Sequence, residues 1–467
     1  MRFSQAPAPI VEESGPGWFA PARPLPHPKR LGALDMVFAA KRNLISLWQA
    51  SDYKSTSGQM RIFGRQVFLA NSPETVKYVM ATRHDNYERK SPQMRRALEY
   101  LLGDGLFISD GETWKRRRPL VSDIVHKNRV PTFGLTMEAV TLAMAERWRA
   151  RPAGETFNAL SEMAELTAEI IARAVFGNHL GPEAAHEAVD AFTSYQSLID
   201  NFNIGYFLGV DEGLPVFRGP RLRRSVAQLD RVIGKVVSDH LSGHGDHNSM
   251  IDLLVKRQQK SPDLGLDVSA LRNEAATIFM AGHETTAATL TWAWYLVANA
   301  PWVEEAVLAE LAAVCGDRPP TVADVPRLDW CRSVIEETLR LYPPVPILAR
   351  QAKAADRIGT VDIDPAALVV VVPWLLHRAA GLWEQPERFM PERFLKDRPT
   401  PYTYIPFAVG PRICAGLAFG LTEAILCFAI LVQQFRVRVA PGTKVEPASR
   451  LTLRPAGGLP VTAEGWR

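Results

Sequence analysis

Phe407-Ala408-Val409-Gly410-Pro411-Arg412-Ile413-Cys414-Ala415-Gly416 places one cysteine in a glycine-bounded loop just ahead of an apolar segment, Leu417 to Val432. Gly410 lets the backbone turn and Gly416 permits close approach. A helix that starts at the sulfur turns its positive dipole end toward it, which favours a thiolate. A thiolate presented this way can ligate iron. Arg412, two residues earlier, can pair with a carboxylate at the edge of a flat cofactor, and Phe407 can cover the sulfur side. The plain alternative is a small cysteine buried in a Gly/Pro loop.

A second constellation lies in Val268 to Ala300, ~33 residues of helical pattern spanning about 50 Å at the α-helical rise. The segment is apolar on most faces, as in a helix buried inside a large protein. Met280-Ala281-Gly282-His283-Glu284-Thr285-Thr286 interrupts it with polar groups. A glycine and two threonines there suit a hydrogen-bond ladder opened beside a ligand, or equally a core helix whose threonines bond back to the preceding turn. Glu337 and Arg340 stand at i, i+3 on another helix, a spacing that alone says little.

The cysteine loop resembles the haem-binding signature of the cytochrome P450 family, in which the cysteine thiolate is the proximal iron ligand and its electron donation favours O–O cleavage. Ala408 stands where many members carry Gly or Ser. The resemblance extends to Glu284-Thr285, which match the acid and threonine over the distal face, and implies that Thr285 donates protons there, backed by Glu284. It also covers Glu337, Arg340 and, in Pro391-Glu392-Arg393-Phe394, Arg393. These imply a buried structural network that holds the cysteine loop. Trp114, Arg118, Arg350 and Arg412 match positions that hydrogen-bond haem propionates. Phe107, Ala281, Ile347 and Leu348 match positions facing the substrate. His283 reads as a structural or surface histidine, not a ligand.

The expected cofactor is therefore haem b, with Cys414 as metal ligand and Phe407 and Gly416 completing its loop. The expected activity is a monooxygenase inserting one atom of O2 into a hydrophobic substrate such as a fatty acid, alkane or terpenoid. Two other readings are a peroxygenase using H2O2 and a haem-based gas-binding sensor. The intact Glu284-Thr285 pair argues against both. With no flavin or ferredoxin module recognised, electrons are expected from a separate ferredoxin or flavodoxin with its NAD(P)H reductase. Lys115, Arg116 and Arg117 read as a solvated basic face on which such an acidic partner docks.

These residues need elements to position them. The 467 residues are 47% hydrophobic and 22% charged, an ordinary globular composition. Motifs that must meet at one cofactor imply one large domain, 31–467, preceded by a proline-rich arm, 1–30. Met1 to Pro28 holds seven prolines, which suggests an extended polyproline segment, and no run there reaches signal-peptide or membrane-span length. Gln59–Leu69, a hairpin around Gly64-Arg65, and Val361–Val372 read as strands. Most of the remainder has helical period, including Pro73–Arg83, Glu112–Val125, Met137–Ala150, Leu160–Val175, Gly219–Leu241, Leu271–Asn299, Trp302–Val314 and Asp329–Leu341. The expected fold is mainly α with a minor β-sheet. Four cysteines without a C-x-x-C pair suit a reducing, cytoplasmic setting. A dispersed net charge of +4 excludes a nucleic-acid stripe. A soluble monomer of bacterial type is expected.

Overall fold

The long apolar segment folds as a single helix, Val268–Ala298, in a computed structural model that describes residues 9–177, 187, 190–191, 194–195, 219–243, 249–261, 266–449 and 451–466. Asp267 caps it by accepting from Ala270 N at 2.7 Å. Pro301 opens the next helix, Pro301–Cys315. From Asn273 to Val297 every residue of the long helix is buried except Ala281, Gly282 and Thr285. It packs on the helices Ala159–Phe176, Asp329–Leu341 and Leu417–Gln434, and the last of these also packs on Val130–Arg149. Leu417–Gln434 is apolar enough to cross a membrane by length and composition. Its continuously buried stretch, Glu423–Val432, makes it a core helix here.

The minor sheet runs in the order Ser57–Ile62, Arg65–Ala70, Leu368–Val371, Leu348–Gln351, Arg89–Lys90. Leu368–Val371 pairs in parallel with Arg65–Ala70, and the other pairs are antiparallel. The expected hairpin is present, turning at Phe63 (φ 47°) and Gly64 (φ 87°). The expected strand Val361–Val372 is two strands, Val361–Ile363 and Leu368–Val371, broken by Ala366 at φ 60°. Pro73–Arg83 begins as a helix, Pro73–Lys77, and widens into a π-turn over Tyr78–Thr82.

The N-terminus differs from the extended arm expected of it. Ile10–Gly15 and Trp18–Pro24 pair as an antiparallel hairpin around Gly17. Phe19 is 1% exposed and meets the edge of Tyr295 at 5.6 Å between centroids. Ala22 N donates to Tyr295 Oη at 2.9 Å, and Tyr342 Oη donates to Ala22 O at 2.7 Å. The prolines tolerate an edge ribbon, and the buried Phe19, Ala20 and Ala22 bind it to the body. Residues 1–8 of the expected arm lie outside the described ones.

Candidate active site

The cysteine loop is fixed by its backbone. Cys414 N donates to Phe407 O at 2.9 Å, and Gly410–Arg412 forms one 3-10 turn between them. Gly410 has φ +75°, and a Cβ there would stand 2.0 Å from Met80 O, so glycine is required. Ala408 also adopts the left-handed region, φ 57°, at a cost of about 1 kcal/mol for a residue with a Cβ. Gly416 precedes the core helix, but the close approach expected of it is not made: among the described residues a Cβ there would meet nothing within 4 Å. The Cys414 side chain is accessible although the fold surrounds it. Burial pushes its thiol up, while the amide of Gly416 and the cations Arg118 and Lys90 pull it down.

The loop hangs from a buried ion network. Arg340 and Glu337, both fully buried, form a bidentate pair at 2.7 and 2.8 Å. Arg393 Nε reaches Glu337 Oε1 at 3.2 Å, and Met390 N donates to the same oxygen at 2.9 Å. Arg340 also donates to the carbonyls of His377, Pro386 and Arg388 at 2.7–2.9 Å. His377 Nε2 in turn accepts from Ile405 N at 2.9 Å, two residues before Phe407. Burial, then the neighbouring Arg340, holds His377 down at about 3. It is therefore a neutral acceptor. The expected trio Glu337, Arg340 and Arg393 is brought together, and His377 links it to the loop.

Cations gather near Cys414. Arg412 Nη1 donates to Ser109 O at 2.7 Å, and its guanidinium lies 4.2 Å from the Trp114 ring centroid. Its Nε and Nη2 are buried without a hydrogen-bond partner among the described residues, Glu88 standing 3.8 Å away. Arg350 is buried beside it. Burial and the mutual repulsion with Arg412 lower Arg350 to about 10, and Arg412 falls to about 10 through burial. Arg118 is half-buried and is lowered by burial too. Lys90, which the sequence reading missed, joins this set: burial, then Arg350 and Arg412, lowers it, and its Nζ lies 4.1 Å from the Phe107 centroid. Orphaned donors in a cationic enclosure fit a flat group with two carboxylates. Arg412, Arg350, Arg118 and Lys90 would hold its edge.

Arg117 does not belong to the exposed basic face expected of it. It is 7% exposed and bonds Asp104 and Glu274, because the inward stripe of its helix is Trp114, Arg117 and Val121. Lys115 and Arg116 remain on the surface, Lys115 paired with Glu112 at 2.7 Å.

On the long helix, Ala281, Gly282 and Thr285 are the residues between Asn273 and Val297 that are not buried. Thr285 Oγ1 donates back to Ala281 O at 2.7 Å. Gly282 lets the helix approach its neighbour, a Cβ there falling 2.7 Å from Ile171 Cδ1. His283 is buried, stacks on Phe279 at 6.2 Å, and is depressed to about 4 by burial, so it is a neutral core residue. Glu284 is 9% exposed. Its Oε1 accepts from Thr452 Oγ1 at 2.6 Å and lies 3.5 Å from Arg454 Nη1. Both partners lie on the hairpin of Pro447–Ser449 and Leu453–Pro455. Nothing in Leu451-Thr452-Leu453-Arg454 but its alternation signals them.

An apolar cavity of about 230 Å³ lies under the sheet, lined by Met36, Trp48, Met60, Met94, Ile347 and Leu451 among others. Ile347 lines it, whereas Phe107 and Ala281, also expected to face the substrate, do not. Leu348 does not line it; it packs with the cluster around Phe68 and Val369 on the opposite face. Successive strand residues point opposite ways, so both could not face the cavity. A polar hollow lined by Asp104, Arg116, Asp267 and Asn273 contains none of the expected site residues.

The family model described as cytochrome P450 matches residues 50–461. Cyclooctatin synthase of Streptomyces melanosporofaciens is 32% identical over 415 residues, 87% of this chain and 88% of that protein. Cyclooctat-9-en-7-ol 5-monooxygenase of the same organism is 29% identical over 388 residues, 82% and 83% of the two chains. Putative cytochrome P450 132 of Mycobacterium tuberculosis is 30% identical over 428 residues, 86% and 89% of the two chains. The chain belongs to the cytochrome P450 family. It is a monooxygenase with a haem-thiolate cofactor, a substrate and redox partners.

Proposed function

We propose that Cys414 is the thiolate ligand of a haem b and that the enzyme inserts one oxygen atom from O2 into a hydrophobic substrate. The observation that carries this is the setting of Cys414, an accessible sulfur inside the fold under the influence of Arg118 and Lys90. Arg412, Arg350, Arg118 and Lys90 would hold the two carboxylates of the haem, Trp114 backs Arg412, and Phe407 and Gly416 shape the sulfur's loop. The haem, when bound, supplies dioxygen activation, and the thiolate tunes it.

The chain's own residues handle the protons. Thr285 holds its hydroxyl proton on Ala281 O and, being only half-buried, can turn it into the substrate space. Glu284 is the buried carboxylate behind it, steadied by Thr452 and by Arg454. The Arg454 side chain is 42% exposed and so connects the carboxylate with solvent. Phe107, Ala281 and Ile347 line the substrate space, which excludes water.

Of fatty acids, alkanes and terpenoids, the terpenoid class is favoured by the relative named for cyclooctat-9-en-7-ol. Electrons come from a ferredoxin or flavodoxin with its NAD(P)H reductase, docking over Lys115 and Arg116. The enzyme works as a cytoplasmic monomer. Titrating the holoenzyme with candidate terpenoids and fatty acids, and following the Soret shift on binding, tests the substrate class. A shift with fatty acids and none with terpenoids overturns that choice.

A further inference from the structure

The cations gathered near Cys414 have a buried anion among them. Glu88 is 7% exposed and stands two residues before Lys90, with Arg89 between them on the surface. Successive residues of extended backbone turn opposite ways, so Glu88 and Lys90 share the inner side. The strand Arg89–Lys90 pairs with Leu348–Gln351, and Lys90 lies opposite Arg350.

Glu88 stands between two cations. Its Oε1 accepts from Lys353 Nζ at 2.9 Å, and its Oε2 lies 3.8 Å from Arg412 Nη2. The lysine is anchored through its backbone: Lys353 N donates to Asn86 O at 3.0 Å, and Asn86 makes two further bonds with Ala354, at 2.9 and 3.2 Å. Asp110, the other carboxylate bearing on Arg412, is already paired with Arg95 at 2.5 Å and Arg89 at 3.3 Å. A separation of 3.8 Å is too long for a hydrogen bond. Glu88 therefore supplies charge to Arg412 while the Nε and Nη2 donors of that arginine stay open to a haem carboxylate.

We propose that Glu88 is a positioning residue for the haem edge: it gives Arg412 a fixed counter-charge and so holds the reduction potential of the bound haem down. This rests on the reading that Arg412 grips a haem carboxylate. Reduction places one more electron on the haem, which the surrounding cations favour and a buried anion opposes. Arg412, Arg350, Arg118 and Lys90 exceed the two carboxylates of the haem, and Glu88 offsets part of that surplus. Lys353 works against Glu88 but less strongly, because its side chain is 42% exposed where that of Glu88 is 8%. The potential in turn governs how readily the haem takes its first electron from the redox partner.

The test is the midpoint potential of the holoenzyme, read by spectroelectrochemical titration of wild type, Glu88→Gln, Lys353→Met and the double variant at one ionic strength. Glu88→Gln should move the reduction equilibrium about 3- to 10-fold toward the reduced haem. Lys353→Met should move it the other way by less, and the double variant should fall between the two. Opposite signs follow from charge and not from a structural disturbance. An unmoved potential in Glu88→Gln, or both single variants shifting in one direction, overturns the proposal. If Glu88→Gln does not load haem, the sign for Lys353→Met decides alone. Haem transfer from Arg412→Gln to apomyoglobin separates the underlying reading. Release no faster than from wild type overturns the placement of the haem carboxylates and the proposal with it. Faster release with unmoved potentials in the Glu88 and Lys353 variants overturns the role of Glu88 alone.

Discussion

Glu284 Oε1 accepts the hydroxyl of Thr452 at 2.6 Å, joining the middle of the long helix to a hairpin 168 residues further along the chain. The carboxylate beside Thr285 is therefore held by a residue from another element. Thr452→Val removes one donor to a charged group, a loss of about 1.5–3 kcal/mol in its placement. Haem content should be unchanged, and the share of NAD(P)H electrons reaching product should fall by about 2- to 10-fold. Unchanged coupling would mean that the Thr452 hydroxyl does not position Glu284.

Thr285→Ala removes the hydroxyl and leaves the thiolate loop, the cations and the cavity in place. Substrate-induced Soret shifts should match wild type, while released hydrogen peroxide per NAD(P)H rises at the expense of product. Product and peroxide yields measured together decide the point. Equal yields in the two proteins would assign the proton donor elsewhere, Thr286 being the next hydroxyl on the helix.

Glu337→Gln leaves Arg340 and Arg393 without their shared carboxylate in a fully buried site. Breaking a buried pair costs about 3–5 kcal/mol. The variant should lose most of its haem-loaded yield and unfold at a lower temperature. A wild-type melting temperature would show that the carbonyls of His377, Pro386 and Arg388 suffice to hold Arg340.

Ala408→Gly tests the strained backbone of the cysteine loop. At φ 57° a glycine carries no Cβ penalty, so the folded holoenzyme should gain up to about 1 kcal/mol, less the added freedom of the unfolded chain. The denaturant midpoint of the haem-loaded form reads this. A clear loss of stability would contradict the strain.

Local pattern made much of this molecule legible before its structure. The long helix, the Glu337–Arg340 spacing and the Cys414 loop are each written in contiguous residues, and each lies where pattern put it. What escaped depends on distant partners. Arg117 looks solvated beside Lys115 and Arg116, yet Glu274, 157 residues away, draws it inside. Lys90 is an unremarkable lysine until Arg350 and Arg412 fold against it. The proline count of the N-terminus hid Phe19, whose burial against Tyr295 turns an expected arm into a hairpin. Leu348 was misplaced by a single step of strand alternation.

The central claim is that Cys414 ligates the haem iron, and Cys414→Ser tests it most directly. The reduced carbon-monoxide complex of the wild-type holoenzyme should show the red-shifted Soret band of thiolate ligation, and the variant should lose that band whether or not it still binds haem. A variant that keeps the thiolate band would place the ligand on another cysteine and contradict the account.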